Sequence, residues 1–126
     1  MADSLAELNQ AAAAALMQVD RTTIRAWTAA GMPYTPPTER GKEASYRTSV
    51  LIQWAMWRRL RDELKFTEQS PVRALAIARA SMESDEHAFR ESFPKMVSDY
   101  FPIRDAHEAT GYALAFVQSN ARRGAK

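Results

Sequence analysis

The fifteen residues VDRTTIRAWTAAGMP, at positions 19–33, fix both ends of one short helix and so constrain the whole chain. Asp20 is of a type whose side chain accepts from the first free amides of a helix. Gly31 enters the left-handed region at little cost, and Pro33 lacks the N–H that a continuing helix needs. The helix so bounded, Arg21 to Ala30, is shorter than the roughly 12–15 residues that hold a helix together unaided in water. It must therefore pack on something. Ile24 and Trp27, three apart, share the side that packs, with Val19 and Thr23 beside them.

Upstream, Leu8 to Met17 is almost pure helix former, with Asn9 as its N-cap and the run Ala11–Ala15 at its centre. Gln18-Val19 breaks that pattern before Asp20 restarts it. The reading is helix, turn, helix. Downstream, Tyr34-Thr35-Pro36-Pro37 cannot be helical, because proline restricts both itself and its predecessor. Thr38 to Thr48 reads as a short hairpin with Gly41 near its turn and Ala44-Ser45-Tyr46-Arg47 as the returning strand.

From Ser49 to about Leu64 a helix carries Val50, Trp54, Trp57 and Arg61 at helical spacing. Leu51, Ile52, Met56 and Leu60 widen that stripe to more than one side. Lys65 to Ser70 is a linker, with Ser70 capping a helix that Pro71 opens. Val72, Leu75, Ala78, Met82, Phe89 and Phe93 follow a mixed three-and-four spacing that Pro94 interrupts. Pro102 opens a last helix with Ile103, Ala106, Thr110, Ala113, Leu114 and Val117 along one stripe, and Asn120 to Lys126 reads as a frayed basic tail. The expected fold is mainly α. A winged helix-turn-helix domain with a small β-hairpin wing occupies residues 1–64, and a helical region for oligomerisation or partner docking occupies 65–126.

The net charge of +2 is small, but its distribution is uneven. Residues 20–61 hold eight basic side chains against three acidic ones, whereas residues 67–126 balance at eight and eight. A basic first half and a neutral second half suggest an anion-binding module followed by something else. The absence of cysteine excludes disulfides and Cys-based zinc sites and fits a reducing cytoplasm, where the protein is expected. No apolar run approaches the roughly 18 residues of a membrane span, and the first ten residues lack the basic start of a secretory signal.

The second helix of a helix-turn-helix works on two sides. One packs on the first helix, and the other enters the major groove of DNA, where arginines and short polar groups meet phosphates and base edges. Arg21, Arg25 and Thr28 share the outward side, with Thr22 next to them. Arg40 and Lys42 at the hairpin tip and Arg47 on its returning strand complete the expected DNA-binding set. Arg58, Arg59 and Arg61 are open between phosphate contact and a solvated helix face. Trp27, Trp54 and Trp57 fit a core better than base stacking, and Tyr46 fits strand packing.

Signals of catalysis are poor. His87 and His107 lie twenty residues apart, without metal-ligand spacing, and no serine, histidine and aspartate are linked into a triad. Gly41-Lys42 lacks the rest of a phosphate loop, since Pro36 stands where GxxxxGK needs its first glycine. The chain is therefore expected to be no enzyme and to need no cofactor or metal.

The elements "DRTTIRAW" and "GMP", a glycine-and-lysine wing, the tyrosine strand at Tyr46 and the "VLIQW" helix together resemble the N-terminal winged-helix domain of small terminase subunits of tailed bacteriophages. The likeness is greatest to the lambda-type DNA-packaging branch and covers about residues 8–62. MerR-like regulators and phage excisionases share much of the helix, tryptophan and Gly-x-Pro pattern. This sequence departs from the family at Gln18, where such turns commonly have glycine, at Pro36-Pro37, and in a C-terminal half broken by Pro94 and Pro102. The resemblance implies a non-catalytic protein that binds the packaging initiation site on viral DNA and recruits the large terminase subunit, which carries the ATPase and nuclease. It also implies self-association through the C-terminal helices. The alternative is a winged-helix regulator of transcription or recombination.

Overall fold

A computed structural model describes residues 7–37, 43–65, 68–83 and 85–124, apart from the side chains of 120–124. Along these residues run β1 (Glu7–Leu8), α1 (Gln10–Met17), α2 (Arg21–Ala29), β2 (Tyr46–Arg47), α3 (Thr48–Leu64), α4 (Pro71–Met82), α5 (Glu86–Val97) and α6 (Ile103–Gly124). The fold is mainly helical, with a two-stranded antiparallel sheet. Two compact units divide the chain, Met1–Met56 and Trp57–Lys126, with the boundary inside α3.

In the first unit each helix end has a local cause. The Asn9 carboxamide accepts from the Ala12 N–H at 2.8 Å and so opens α1. Gln18 closes it in the left-handed region, at φ 57°, with Val19 N–H donating to the Ala14 carbonyl at 3.0 Å. A side chain there costs about 1–2 kcal/mol relative to ordinary helical backbone, so the turn that glycine commonly makes is here held by glutamine. Asp20 occupies the next N-cap position and its carbonyl accepts from Thr23 at 3.0 Å, but its carboxylate makes no capping bond. At the far end Met32 N–H reaches back to the Trp27 carbonyl at 3.0 Å around Gly31, whose φ is 115°. This is the six-to-one closure of a glycine-terminated helix. Ile24 and Trp27 are buried, and α1 packs on α2.

Ser45 exchanges both backbone hydrogen bonds with Thr35, each 2.9 Å, and on its other side the chain pairs with β1 in the register Leu8↔Tyr46 and Glu7↔Arg47. The returning strand expected at residues 44–47 is extended at 45–47, but its ladder partner is β1, and its bridge to Thr35 falls outside the expected hairpin of residues 38–48. The tip at 38–42 lies outside the described residues. The cap at Asn9 is as read from the sequence, whereas strand β1 is absent from that reading, which groups Leu8 with the helix formers that follow it. The extended backbone of Asn9, φ −72° and ψ 176°, turns the preceding residues into the sheet instead.

Val50, Leu51, Trp54 and Trp57 of α3 are buried, as is Gln53, whose Nε2 donates to the Ser49 carbonyl at 2.9 Å. Ile52 does not join them and is 42% exposed, because it lies about 200° around the helix from Val50.

In the second unit, the Ser70 hydroxyl caps α4 by accepting from Arg73 N–H at 3.4 Å, with Pro71 in the first turn. The stripe expected to run unbroken to Phe93 is divided. The Asp85 carboxylate accepts from His87 N–H at 2.9 Å and Ala88 N–H at 3.2 Å and so starts α5 afresh. Pro94 does not interrupt that helix. It lies within the last turn, buried, where a proline removes one backbone bond, and the fully buried Phe93 and Val97 hold the turn in place. Helix α6 likewise continues to Gly124, past the expected fraying point.

The three helices pack on one another. Ala74, Ala76 and Ala78 of α4 and Ala106, Ala109 and Ala113 of α6 are all buried, and such small residues allow close approach. Buried Thr110 is satisfied by donating to the Ala106 carbonyl at 2.8 Å. Most of the expected apolar stripe is thus covered within the unit, while Met82 and Ile103 stay outside. The guanidinium of Arg73 lies 4.4 Å over the Tyr112 ring. Burial and a hydrogen bond to Glu68 raise the Tyr112 phenol above its ordinary value.

Two predictions follow from this packing. Trp27→Ala lowers unfolding stability by about 3–5 kcal/mol in urea titration, the cost of deleting a large buried aromatic. The raised Tyr112 phenol keeps its proton in the folded chain after the unfolded chain has begun to lose it near pH 10. Stability therefore falls as pH rises through that range and is unaffected by this group below it. Tyr112→Phe flattens the fall above about pH 10 in urea titrations run at a series of pH values.

Candidate nucleic-acid interface

Helix α2 carries Arg21, Arg25 and Thr28 at spacings of four and three, one above another on a single side. Its nine residues make a rod about 13 Å long, comparable with the roughly 12 Å width of the major groove. Arg21, Thr22 and Arg25 are exposed, and Ile24 and Trp27 are buried on the other side. Thr28 is half-buried, and its hydroxyl donates to the Ile24 carbonyl at 3.0 Å. That hydrogen is committed to the helix, so Thr28 offers only acceptor lone pairs and its methyl group to a ligand.

The charge state of this surface differs from that of the other helices. Helix α2 contains no acidic residue, and neither Arg21 nor Arg25 forms an ion pair with any described residue. Elsewhere five described guanidinium groups have carboxylate neighbours, while Arg73 lies over the Tyr112 ring instead: Arg59 is with Glu63 at 3.5 Å, Arg61 with Asp62 at 3.5 Å, and Arg79 with Glu83 at 3.7 Å. Arg90 meets Glu86 at 3.1 Å, and Arg104 meets Asp105 at 3.9 Å. Arg58 is half-buried and also without a carboxylate neighbour among the described residues. A partnered arginine presents a weakened field outward. An unpartnered one keeps its full charge and its hydrogen-bond donors for an external anion.

Arg47 is placed differently from these. It is half-buried on β2, opposite Glu7 in the register, and belongs to the sheet. Arg40 and Lys42 lie outside the described residues. The sequence reading missed Tyr34, which is exposed between buried Pro33 and the bridged Thr35. Its ring stacks on Tyr46, with centroids 6.0 Å apart and an interplanar angle of 29°. The signal in the sequence was an aromatic residue set immediately after a helix stop, in a segment whose prolines forbid helix.

The histidines belong to the second unit. His87 pairs with Glu91 at 3.3 Å on the exposed side of α5, and among the described residues no group of three His, Cys, Asp or Glu side chains comes together. No described helix is long and apolar enough to cross a membrane. No protein-family model matches the chain, and no curated protein sequence matches it.

Because Arg21 and Arg25 are exposed and unpaired, their removal leaves the fold intact. The double variant Arg21→Ala/Arg25→Ala unfolds within about 0.5 kcal/mol of the parent, measured by urea titration followed by circular dichroism.

Proposed function

We propose that the protein binds double-stranded DNA through α2, with the exposed side of that helix in the major groove. The observation that carries this reading is the pair of unneutralised guanidinium groups, Arg21 and Arg25, one turn apart on a helix whose opposite side is buried. A groove lined with phosphates attracts that charge, and a guanidinium can take both acceptor atoms of a guanine at once. The antiparallel return through Thr35 and Ser45, directly after α2, supports a winged form of the helix-turn-helix with the basic loop as wing. Its role is contact with the DNA backbone or the minor groove.

Within DNA-binding proteins, the resemblance of residues 8–62 to lambda-type small terminase subunits favours a packaging adaptor. In that reading the protein marks the initiation site on viral DNA, and Trp57–Lys126 docks the large terminase subunit or a second copy. Co-purification with a packaging ATPase supports this assignment. Occupancy of a promoter with altered transcription supports a regulator instead.

DNA binding itself is tested by selecting a preferred duplex from a random library and measuring anisotropy against it and a scrambled control. Arg25→Ala loses about 1–3 kcal/mol of discrimination, or roughly 5- to 150-fold, on the selected duplex. The logarithmic salt slope becomes shallower by about 0.9 for each phosphate contact that is lost. Equal affinity of parent and variant on both duplexes removes α2 as the reading helix.

A further inference from the structure

The DNA-binding reading leaves one surface group without an assigned role, the phenol of Tyr34. Three constraints hold this residue still. Pro33 before it is buried and has a fixed φ. Thr35 after it is locked to Ser45 by two 2.9 Å backbone hydrogen bonds. Its ring rests on that of Tyr46, which is only 4% exposed and is itself held in the sheet opposite Leu8. Tyr34 nevertheless leaves 37% of its own surface uncovered, and its hydroxyl makes no hydrogen bond to any described residue. The ring is therefore fixed while the hydroxyl is committed to no partner among the described residues. A mobile surface tyrosine would not be fixed on both sides and underneath.

The position along the chain adds a second constraint. Tyr34 follows the closure of α2 by two residues, since Met32 bonds back to Trp27, and it precedes the basic stretch of sequence at Arg40 and Lys42. It therefore belongs to the same unit and the same stretch as Arg21 and Arg25, at the opposite end of the helix from Arg21. A helix lying in a groove has phosphates beyond its ends, and a neutral hydroxyl donor there matches the contacts that set the position of a protein on the duplex.

We infer that Tyr34 is a phosphate anchor, a fixed phenol that donates a hydrogen bond to a DNA backbone oxygen and sets the depth of α2 in the groove. This inference rests on the DNA-binding reading of α2 and extends it to a residue without charge. Tyr46 is its positioning residue, acting through the ring stack.

The test is Tyr34→Phe, which keeps the ring and the stack and removes only the hydroxyl. Thermal unfolding is expected to match the parent. Affinity is expected to fall by about 3- to 10-fold, the size of one lost hydrogen bond. The fall is equal for the selected and the scrambled duplex, because a phosphate carries no sequence. The salt slope stays unchanged, because no cation is lost, whereas Arg25→Ala reduces it. Parent-like affinity of Tyr34→Phe on both duplexes, with the parent binding normally, overturns the anchor and leaves the DNA-binding reading standing. A loss confined to the selected duplex also overturns it, since the phenol would then be reading a base. Failure of the parent to bind any duplex at low salt overturns the DNA-binding reading itself, and the anchor with it.

Discussion

The burial of Ile24 and Trp27 against the rest of the first unit, on a helix closed at both ends by backbone turns, is the constraint from which the candidate surface follows. A nine-residue helix has too few internal hydrogen bonds to persist alone, so its orientation is dictated by whichever side can be buried. With Ile24 fully enclosed and Trp27 nearly so, Arg21 and Arg25 have no choice but to face outward. The left-handed turn at Gln18 and the glycine closure at Gly31 set where this helix begins and stops. They also set the angle at which α1 meets it and the point at which the chain leaves for the loop. Packing and presentation are one decision, made by two apolar side chains.

Electrostatics separates the two units more clearly than composition does. In the second unit five described arginines, Arg59, Arg61, Arg79, Arg90 and Arg104, lie within 4 Å of carboxylates, mostly one helical turn away. Such exposed pairs contribute little to stability, but they keep the local field weak and suit a surface that meets no polyanion. On α2 the same residue type forms no ion pair with a described residue, although Asp20 occupies the N-cap position of the helix. Two unpaired arginines thus stand one turn apart on α2, so the proposed DNA-binding role needs no large net charge on the chain as a whole, and that charge is only +2.

Much of this was legible in the sequence, and the reasons differ from element to element. Asn9 and Ser70 are caps whose side chains form the bonds their chemistry calls for. The Gly-Met-Pro stop of α2 worked as read, and Ile24, Trp27, Trp54 and Trp57 are core. Pro94 misled, because a proline in the last turn of a helix removes only one bond and neighbouring burial offsets that loss. The stripe from Val72 to Phe93 misled because apolar spacing continues smoothly across a break that Asp85 enforces by capping. Thr28 has the right place for a groove contact, yet its hydroxyl is tied to its own helix. Arg47 was legible as a strand residue, but its opposition to Glu7 was not, since that pairing joins positions forty residues apart.

Local chemistry settled where helices start and stop, which side of α2 is apolar and where positive charge gathers. These depend on residues within a turn or two of one another, and sequence records such neighbours directly. The folded chain alone decided that β1 pairs with β2, that Tyr34 is braced on Tyr46 at the surface, and that the arginines of α2 lack the carboxylate neighbours the other helices supply. Each of these is a relation in space rather than along the chain, fixed by how buried side chains bring distant backbone together.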